Sequence, residues 1–197
     1  MPHAERHTDG SFPSGSIHRR RFLRWGLAAA SAFFAPRVLK AAVPEPTTPS
    51  PERRLVFFNT HTGERLDACY CRSGRYDEGA IREINHILRD HRTGDVGAIA
   101  LGLLDLLHGL CRRFETPQPF HVISGFRSAE TNAALHSKGR GVASQSLHMY
   151  GRAIDIRVPG IRTCELKALA LSLAAGGVGY YPQSDFVHVD IGRVRSW

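Results

Sequence analysis

"SQSLHMYGRAIDIRV" (144–158) and, later in the chain, "SDFVHVDIG" (184–192) decide the reading of this sequence. Successive side chains of a strand point to opposite faces. In "RAIDIRV" (152–158), Ala153, Asp155 and Arg157 therefore share one face, and Ile154, Ile156 and Val158 share the other. The isoleucine face is the one to bury, which turns Asp155 away from the core. In "FVHVDI" (186–191), Val187, Val189 and Ile191 form the apolar face, leaving His188 and Asp190 together on the opposite one. If these strands are neighbours, Asp155 meets His188. His148, in the loop entering the first strand, can then swing above Asp155. Gly151 removes a side chain where that loop bends, and Ala153 leaves space beside it. Two imidazoles and a carboxylate suit Zn²⁺ in a three-ligand site that keeps a fourth position for water. Spacing alone leaves open the alternative of a loop histidine, a surface aspartate and a strand histidine with ordinary hydrogen-bond partners.

Outward from this pair the pattern is that of a small α+β domain, an antiparallel sheet with helices packed on one side. "RLVFFNTHTGERLDACY" (54–70) alternates around the turn "HTGE" as a hairpin or two edge strands. A helix over 77–92 places Ile81, Ile84 and Leu88 on one face. A second, from about Ala98 to Phe114, buries Leu101, Leu104, Leu107 or His108, and Cys111. "PFHVIS" (119–124) is a strand, Ser128 caps the next helix, and Thr163 caps a helix over 163–177. "VGYY" and "FVHVDI" close the sheet. His86, His91 and His108 read as surface or satisfied core residues, and Cys111 and Cys164 as small buried ones. Cys69-Tyr-Cys71 lacks the spacing of a zinc knuckle.

The first 42 residues read as an export signal. "HRRRFLR" (18–24) precedes the weakly apolar run "WGLAAASAFFAP" (25–36). The pair Arg19-Arg20 with Phe22 and Leu23 resembles the twin-arginine type. No cysteine follows to carry a lipid, and no stable membrane span is expected once the signal is removed. Residues 43–53 form a linker, with four prolines in "VPEPTTPSPE" (43–52), and the domain proper covers 54–197. Of the formal charge of +8, the first 42 residues supply +5 (seven Lys/Arg, two Asp/Glu), leaving +3 for the remainder. With no basic stripe carrying interleaved aromatics, nucleic acid is discounted as a partner. A mildly basic exported domain suits an anionic polymer such as cell wall.

"SLHMYGRAID" (146–155) resembles the S-x-H-x-x-G-x-A-x-D signature of the zinc peptidases that group D-Ala-D-Ala peptidases, peptidoglycan endopeptidases and the hedgehog N-terminal domain. "RDHRTGDV", "LLDLLHGL", "SGFRSAETNAAL", "GVASQSLHMYGRAIDIRVPG" and "GGVGYYPQSDFVHVDIGRVRSW" resemble, in order, the MepK (YcbK-like) murein endopeptidases over about residues 54–197. The resemblance implies zinc at His148, Asp155 and His188. It implies hydrolysis of peptidoglycan peptide cross-links in the periplasm, those between two meso-diaminopimelate residues (3–3). Peptidoglycan peptide stems are the expected partner; an adaptor protein is left open. Relatives place an acid three positions before the last histidine, which here is Asp185, the favoured general base; Asp190 is its rival or an orienter of His188. Arg127, in the family's S-G-x-R motif, is the expected clamp for a substrate carboxylate. Ser124 and Ser146 are expected to hydrogen-bond substrate near the site, with His121 and Tyr180 as candidates for the cleft wall. Arg193, Arg195 and Trp197 read as anchors of the C-terminal segment. Two alternatives stay open: D-Ala-D-Ala carboxypeptidase or 4–3 endopeptidase action at the same site, and a zinc-containing wall-binding module without turnover.

Overall fold

The computed structural model describes residues 52–114, 118–139 and 142–197. The export segment (1–42) and most of the proline-rich linker (43–51) lie outside the described residues. The domain begins with β1 (Arg53–Asn59), β2 (Arg65–Arg72), the short β3 (Arg75–Tyr76), α1 (Glu78–Ile87) and α2 (Leu101–Cys111). It continues with β4 (Phe120–Ser124), α3 (Ala129–Ser137), a 3-10 turn (Leu147–Tyr150), β5 (Ala153–Arg157) and α4 (Thr163–Ser172). It closes with β6 (Gly177–Tyr181), a 3-10 turn (Pro182–Ser184), β7 (Phe186–Asp190) and β8 (Arg195–Ser196).

All eight strands join one sheet in the order β3-β2-β1-β4-β5-β7-β6-β8. The sheet is larger than the small one expected, and it is mixed. β1 runs parallel to β4, and β6 parallel to β8; every other pairing is antiparallel. The parallel pairs escape local pattern reading because they depend on connections, not on alternation. Between β1 and β4 the chain completes β2, β3 and two helices before returning in the same direction, the kind of long excursion a parallel pair needs.

One face of the sheet makes the core. Leu55 and Phe57 of β1, Phe120 and Val122 of β4, Ile154 and Ile156 of β5, and Val187 and Val189 of β7 are buried with residues of α1, α2 and α4. Each such side chain contributes roughly 1.5–3 kcal/mol through removal from water. The helix boundaries and faces differ from expectation in places. α1 is capped by Asp77, whose carboxylate accepts from the Ala80 N–H at 3.0 Å, and it ends at Ile87. α2 buries Leu103, Leu104, Leu107 and Leu110, while Leu101 is exposed, so its apolar stripe is rotated from the one expected. Its composition is leucine-rich all round, and several stripes fit such a sequence equally well. Thr163 is the first residue of α4, not its cap; Glu165 accepts from the N–H of Arg162 instead. Cys164 is exposed, contrary to the buried reading, and Cys111 is half-buried, with burial pushing its thiol up to about 12.

α3 does not share the apolar core. Its buried residues are Thr131 and Asn132, and Asn132 Nδ2 donates to the carbonyls of Ala143 and Ser144 at 3.2 and 3.0 Å. This helix therefore supports the loop that leads to His148. Among the described residues no helix is long and apolar enough to cross a membrane.

Candidate metal centre

β5 and β7 are neighbours, and Asp155 stands directly opposite His188 in their antiparallel register. Directly paired side chains on one face have Cβ atoms about 5 Å apart, so the strands alone bring carboxylate and imidazole together. His188 Nδ1 lies 2.8 Å from Asp155 Oδ1. His148 comes from the 3-10 turn that enters β5, and its Nε2 lies 3.2 Å from His188 Nδ1 and 3.3 Å from Asp155 Oδ1. Gly151 ends that turn at φ +60°, where an added Cβ would overlap the Ala98 carbonyl. All three side chains are buried, and their ligand atoms lie within 4.8 Å of one another.

The outer nitrogen of each ring is already committed. His148 Nδ1 lies 2.8 Å from the Gly125 carbonyl, which only accepts, so the proton sits on Nδ1. His188 Nε2 lies 3.2 Å from Asp190 Oδ2 and donates to it in the same way. Both lone pairs, His148 Nε2 and His188 Nδ1, are thereby turned toward Asp155 Oδ1. Three acceptor atoms converging in a buried space require a cation or a proton between them. The donor set and its outer hydrogen bonds fit a bound metal, as histidine ligands usually donate their second N–H to a carboxylate or carbonyl. The electrostatics show a pull for positive charge at this point, which a proton on His188 Nδ1 answers as well as a cation does. Burial favours a protonated Asp155, but His148 and His188 hold its carboxyl well below the usual range. For His188, burial favours the neutral ring; the hydrogen bonds and charges of Asp155 and Asp190 outweigh it and lift the pKa to about 9.

Asp190 is completely buried. Its Oδ1 accepts from the Gly177 and Gly192 N–H groups at 3.0 and 2.7 Å, and Arg195 Nη2 donates to Oδ2 at 2.7 Å. Asp185 is placed elsewhere. It is at φ +50° just before β7, exposed, with Arg157 Nη1 at 3.5 Å and Thr163 Oγ1 at 3.3 Å. The structure does not bring it to the three converging ligand atoms, although its neighbours Ser184 and Phe186 line the adjoining cleft.

That cleft, of about 490 Å³, opens over Asp155 and His188. Arg127 and Ser146 line it. Arg127 is buried, its Nη2 lies 3.6 Å from Asp155 Oδ2 and donates to Ser124 Oγ at 3.4 Å, and its Nε has no hydrogen-bond partner among the described residues. Burial pushes the guanidinium pKa down, and Asp155 offsets part of that. Ser124 thus touches the site through Arg127. Tyr181, Phe186 and Trp197 also line the cleft, while Tyr180 faces the other way, under Lys167, and His121 is not part of the wall. Parity carries the signal for Tyr181: Gly179 pairs with His188, so Gly177, Gly179 and Tyr181 share the face of the candidate ligands. Arg195 and Trp197 carry no such signal, because β8 is a two-residue strand.

Among the described residues, one buried His–Asp–His group could hold a metal, and its place beside a cleft, on the face of an α+β sheet away from its core, is the arrangement of a metallohydrolase. The sequence profile described as peptidoglycan L,D-endopeptidase MepK matches residues 47–197, and the chain belongs to that family. The peptidoglycan L,D-endopeptidase MepK of Escherichia coli (strain K12) is 39% identical over 180 residues, covering 91% of this chain and 97% of that protein. The probable MepK of Haemophilus influenzae is 36% identical over 181 residues, covering 91% and 95%.

Proposed function

We propose that this protein is a zinc-dependent peptidoglycan L,D-endopeptidase that hydrolyses 3–3 cross-links between wall peptides in the periplasm. The observation that carries the metal reading is the commitment of both outer imidazole nitrogens, to Gly125 and Asp190, which leaves His148 Nε2 and His188 Nδ1 facing Asp155. Family membership supports the reaction and the substrate. His148, Asp155 and His188 would hold the ion, which supplies a Lewis acid for the scissile carbonyl and acidifies water.

The rest of the chemistry falls to the chain's own groups. Arg127 lines the cleft and is the cation there to meet a substrate carboxylate, and Ser124 steadies its guanidinium from behind. Ser146 lies where a hydroxyl can meet a peptide backbone at the cleft wall. We assign the general base to Asp185 on its position three residues before His188, a role that requires its side chain to leave Arg157 and Thr163 and turn into the cleft. Its bonds to Arg157 and Thr163 are long and exposed, hence weak, and both neighbouring residues line the cleft. Asp190 is in a different position: each of its oxygens is engaged inside the protein, and its pKa is held low against burial by His188 and two backbone N–H groups. It serves to orient His188. The export reading of residues 1–42 supports the location.

Purified full-length protein incubated with defined 3–3 and 4–3 cross-linked muropeptide dimers tests the reading. Cleavage of the 3–3 dimer, its loss with chelator and its return with zinc are expected. Cleavage that persists in His188→Ala or after zinc removal overturns it. Asp185→Asn is expected to lose turnover and keep zinc; an active Asp185→Asn enzyme would move the base elsewhere.

A further inference from the structure

Beyond the ligands, the segment after β7 is built into the site. β8 lies parallel to β6 at the sheet edge, with Arg195 opposite Gly177. Arg195 straddles the Asp190 carboxylate, Nη2 to Oδ2 at 2.7 Å and Nη1 to Oδ1 at 3.3 Å. Nη1 also donates to the Arg193 carbonyl at 3.0 Å, and the guanidinium sits 4.8 Å from the centre of the Trp197 ring. Trp197 is fixed in turn. Its Nε1 donates to Tyr181 Oη at 2.9 Å, and its ring lies 5.3 Å from that of His188. The sequence clears the space for this arrangement. A Cβ on Gly177 would meet Asp190 Oδ2 first and lie 2.7 Å from Arg195 Nη1, and one on Gly179 would lie 2.7 Å from Trp197 Cε2. Alternate glycines on one face of β6 are costly in a strand and mark close approach of other groups; here those groups are the Asp190–Arg195 pair and Trp197.

We infer that Arg195 is a positioning residue of the metal centre: it clamps Asp190, which fixes the ring of His188, so that β8 sets how well the site holds its metal. A carboxylate with no exposure, such as Asp190, needs a paired cation. Its other partners are two backbone N–H groups and His188 itself. Without the guanidinium, the Asp190 carboxylate has one cation fewer. Its bond to His188 Nε2, and with it the aim of Nδ1, is no longer held from both sides. A surface anchor of the chain end, the simpler role for Arg195, would leave metal binding unchanged.

The inference rests on the metal-centre reading, and its main readouts do not depend on turnover. Zinc affinity of the full chain is measured by competition with a chromophoric chelator, and the visible spectrum is recorded for the cobalt-substituted protein. Arg195→Ala is expected to weaken zinc binding by about 3–10-fold, less than the roughly 10–100-fold typical of a group bonded to the ligand itself, and to alter the cobalt spectrum. Arg195→Lys should recover part of the affinity, because an ammonium reaches one carboxylate oxygen but cannot fork to both. In a double-mutant cycle, Arg195→Ala added to Asp190→Asn should weaken zinc no further than Asp190→Asn alone. If Arg195→Ala fails to fold, Arg195→Gln takes its place, with an intermediate loss expected. Wild-type zinc affinity and cobalt spectrum in Arg195→Ala or Arg195→Gln, or losses that add to those of Asp190→Asn, would overturn the inference. Failure of the wild-type protein to cleave 3–3 dimers, with these binding results intact, would instead count against the proposed reaction.

Discussion

Gly151 joins two of the three candidate ligands, ending the turn that carries His148 two residues before β5, which delivers Asp155. Its φ of +60° and the nearby Ala98 carbonyl admit no side chain without movement. Gly151→Ala should therefore cost at least about 2 kcal/mol, left-handed backbone alone accounting for roughly 1–2 of that, and should weaken zinc more than it lowers the melting temperature. Thermal melts and chelator competition on the same sample check this. Asp155→Asn keeps the shape of the side chain but removes the charge between two imidazoles. Loss of stoichiometric zinc with the fold retained by circular dichroism is expected. At this scale much was legible in the sequence. Asp155 and His188 could be placed on one face because a strand has period two, and buried β-branched neighbours fix which face is which. Parity fails where the strand stops. Asp185 lies at φ +50°, outside the alternation, so counting three positions back from His188 gave its identity but not its direction.

At the scale of elements, the loop between β4 and α3 is pinned where it enters the helix. The Arg127 N–H donates to the His148 carbonyl at 3.2 Å, and Ser128, which caps α3, is held by Asp90. The buried Asp90 carboxylate accepts from the Ser128 N–H and Oγ, both at 2.9 Å, and from the Arg92 N–H at 2.9 Å. Burial alone would raise its pKa, but hydrogen bonds from Thr131, Arg92 and Ser128 pull it down to about 2. Because the folded value lies below the unfolded one near 3.9, the stabilisation is complete above about pH 4 and fades as pH falls toward 2. The shift corresponds to about 2 kcal/mol. Asp90→Ala should lose roughly that at pH 7, and the gap between variant and wild type should narrow from pH 4 to pH 2.5 in urea titrations. KM should rise, since Arg127 loses one anchor of its loop. A gap that stays constant with pH would remove the carboxylate from this account. The cap Ser128 was legible from "GFRSAETN"; its partner Asp90 was not, because the contact spans 38 residues.

At the scale of the molecule, the apolar core and the metal centre occupy opposite faces of one sheet. α1, α2 and α4 cover the first, and their buried residues belong to the apolar cluster, which includes none of the three candidate ligands. A metal held by these residues would tie together the turn before β5, β5 itself and β7, two of which the sheet already pairs. This differs from small zinc domains, in which binding free energy is folding free energy. The four cysteines are free, so the fold does not rest on disulfides either, which suits a chain expected to fold before crossing by the twin-arginine route. Replacing Arg19 and Arg20 with lysine should hold folded protein in the cytoplasm, as read by cell fractionation. Chelation should then abolish turnover while leaving the domain folded at 25 °C. Free zinc at about 100 times its Kd stabilises a protein that binds it only when folded by about 2.7 kcal/mol. For a chain of this size, each kcal/mol moves Tm by about 2–4 °C. A rise of about 5–10 °C on adding zinc to the stripped protein is therefore expected, with the far-ultraviolet spectrum unchanged. Unfolding on chelation at 25 °C would mean that the core face cannot sustain the sheet without the metal, and the ion would then be structural before it is catalytic.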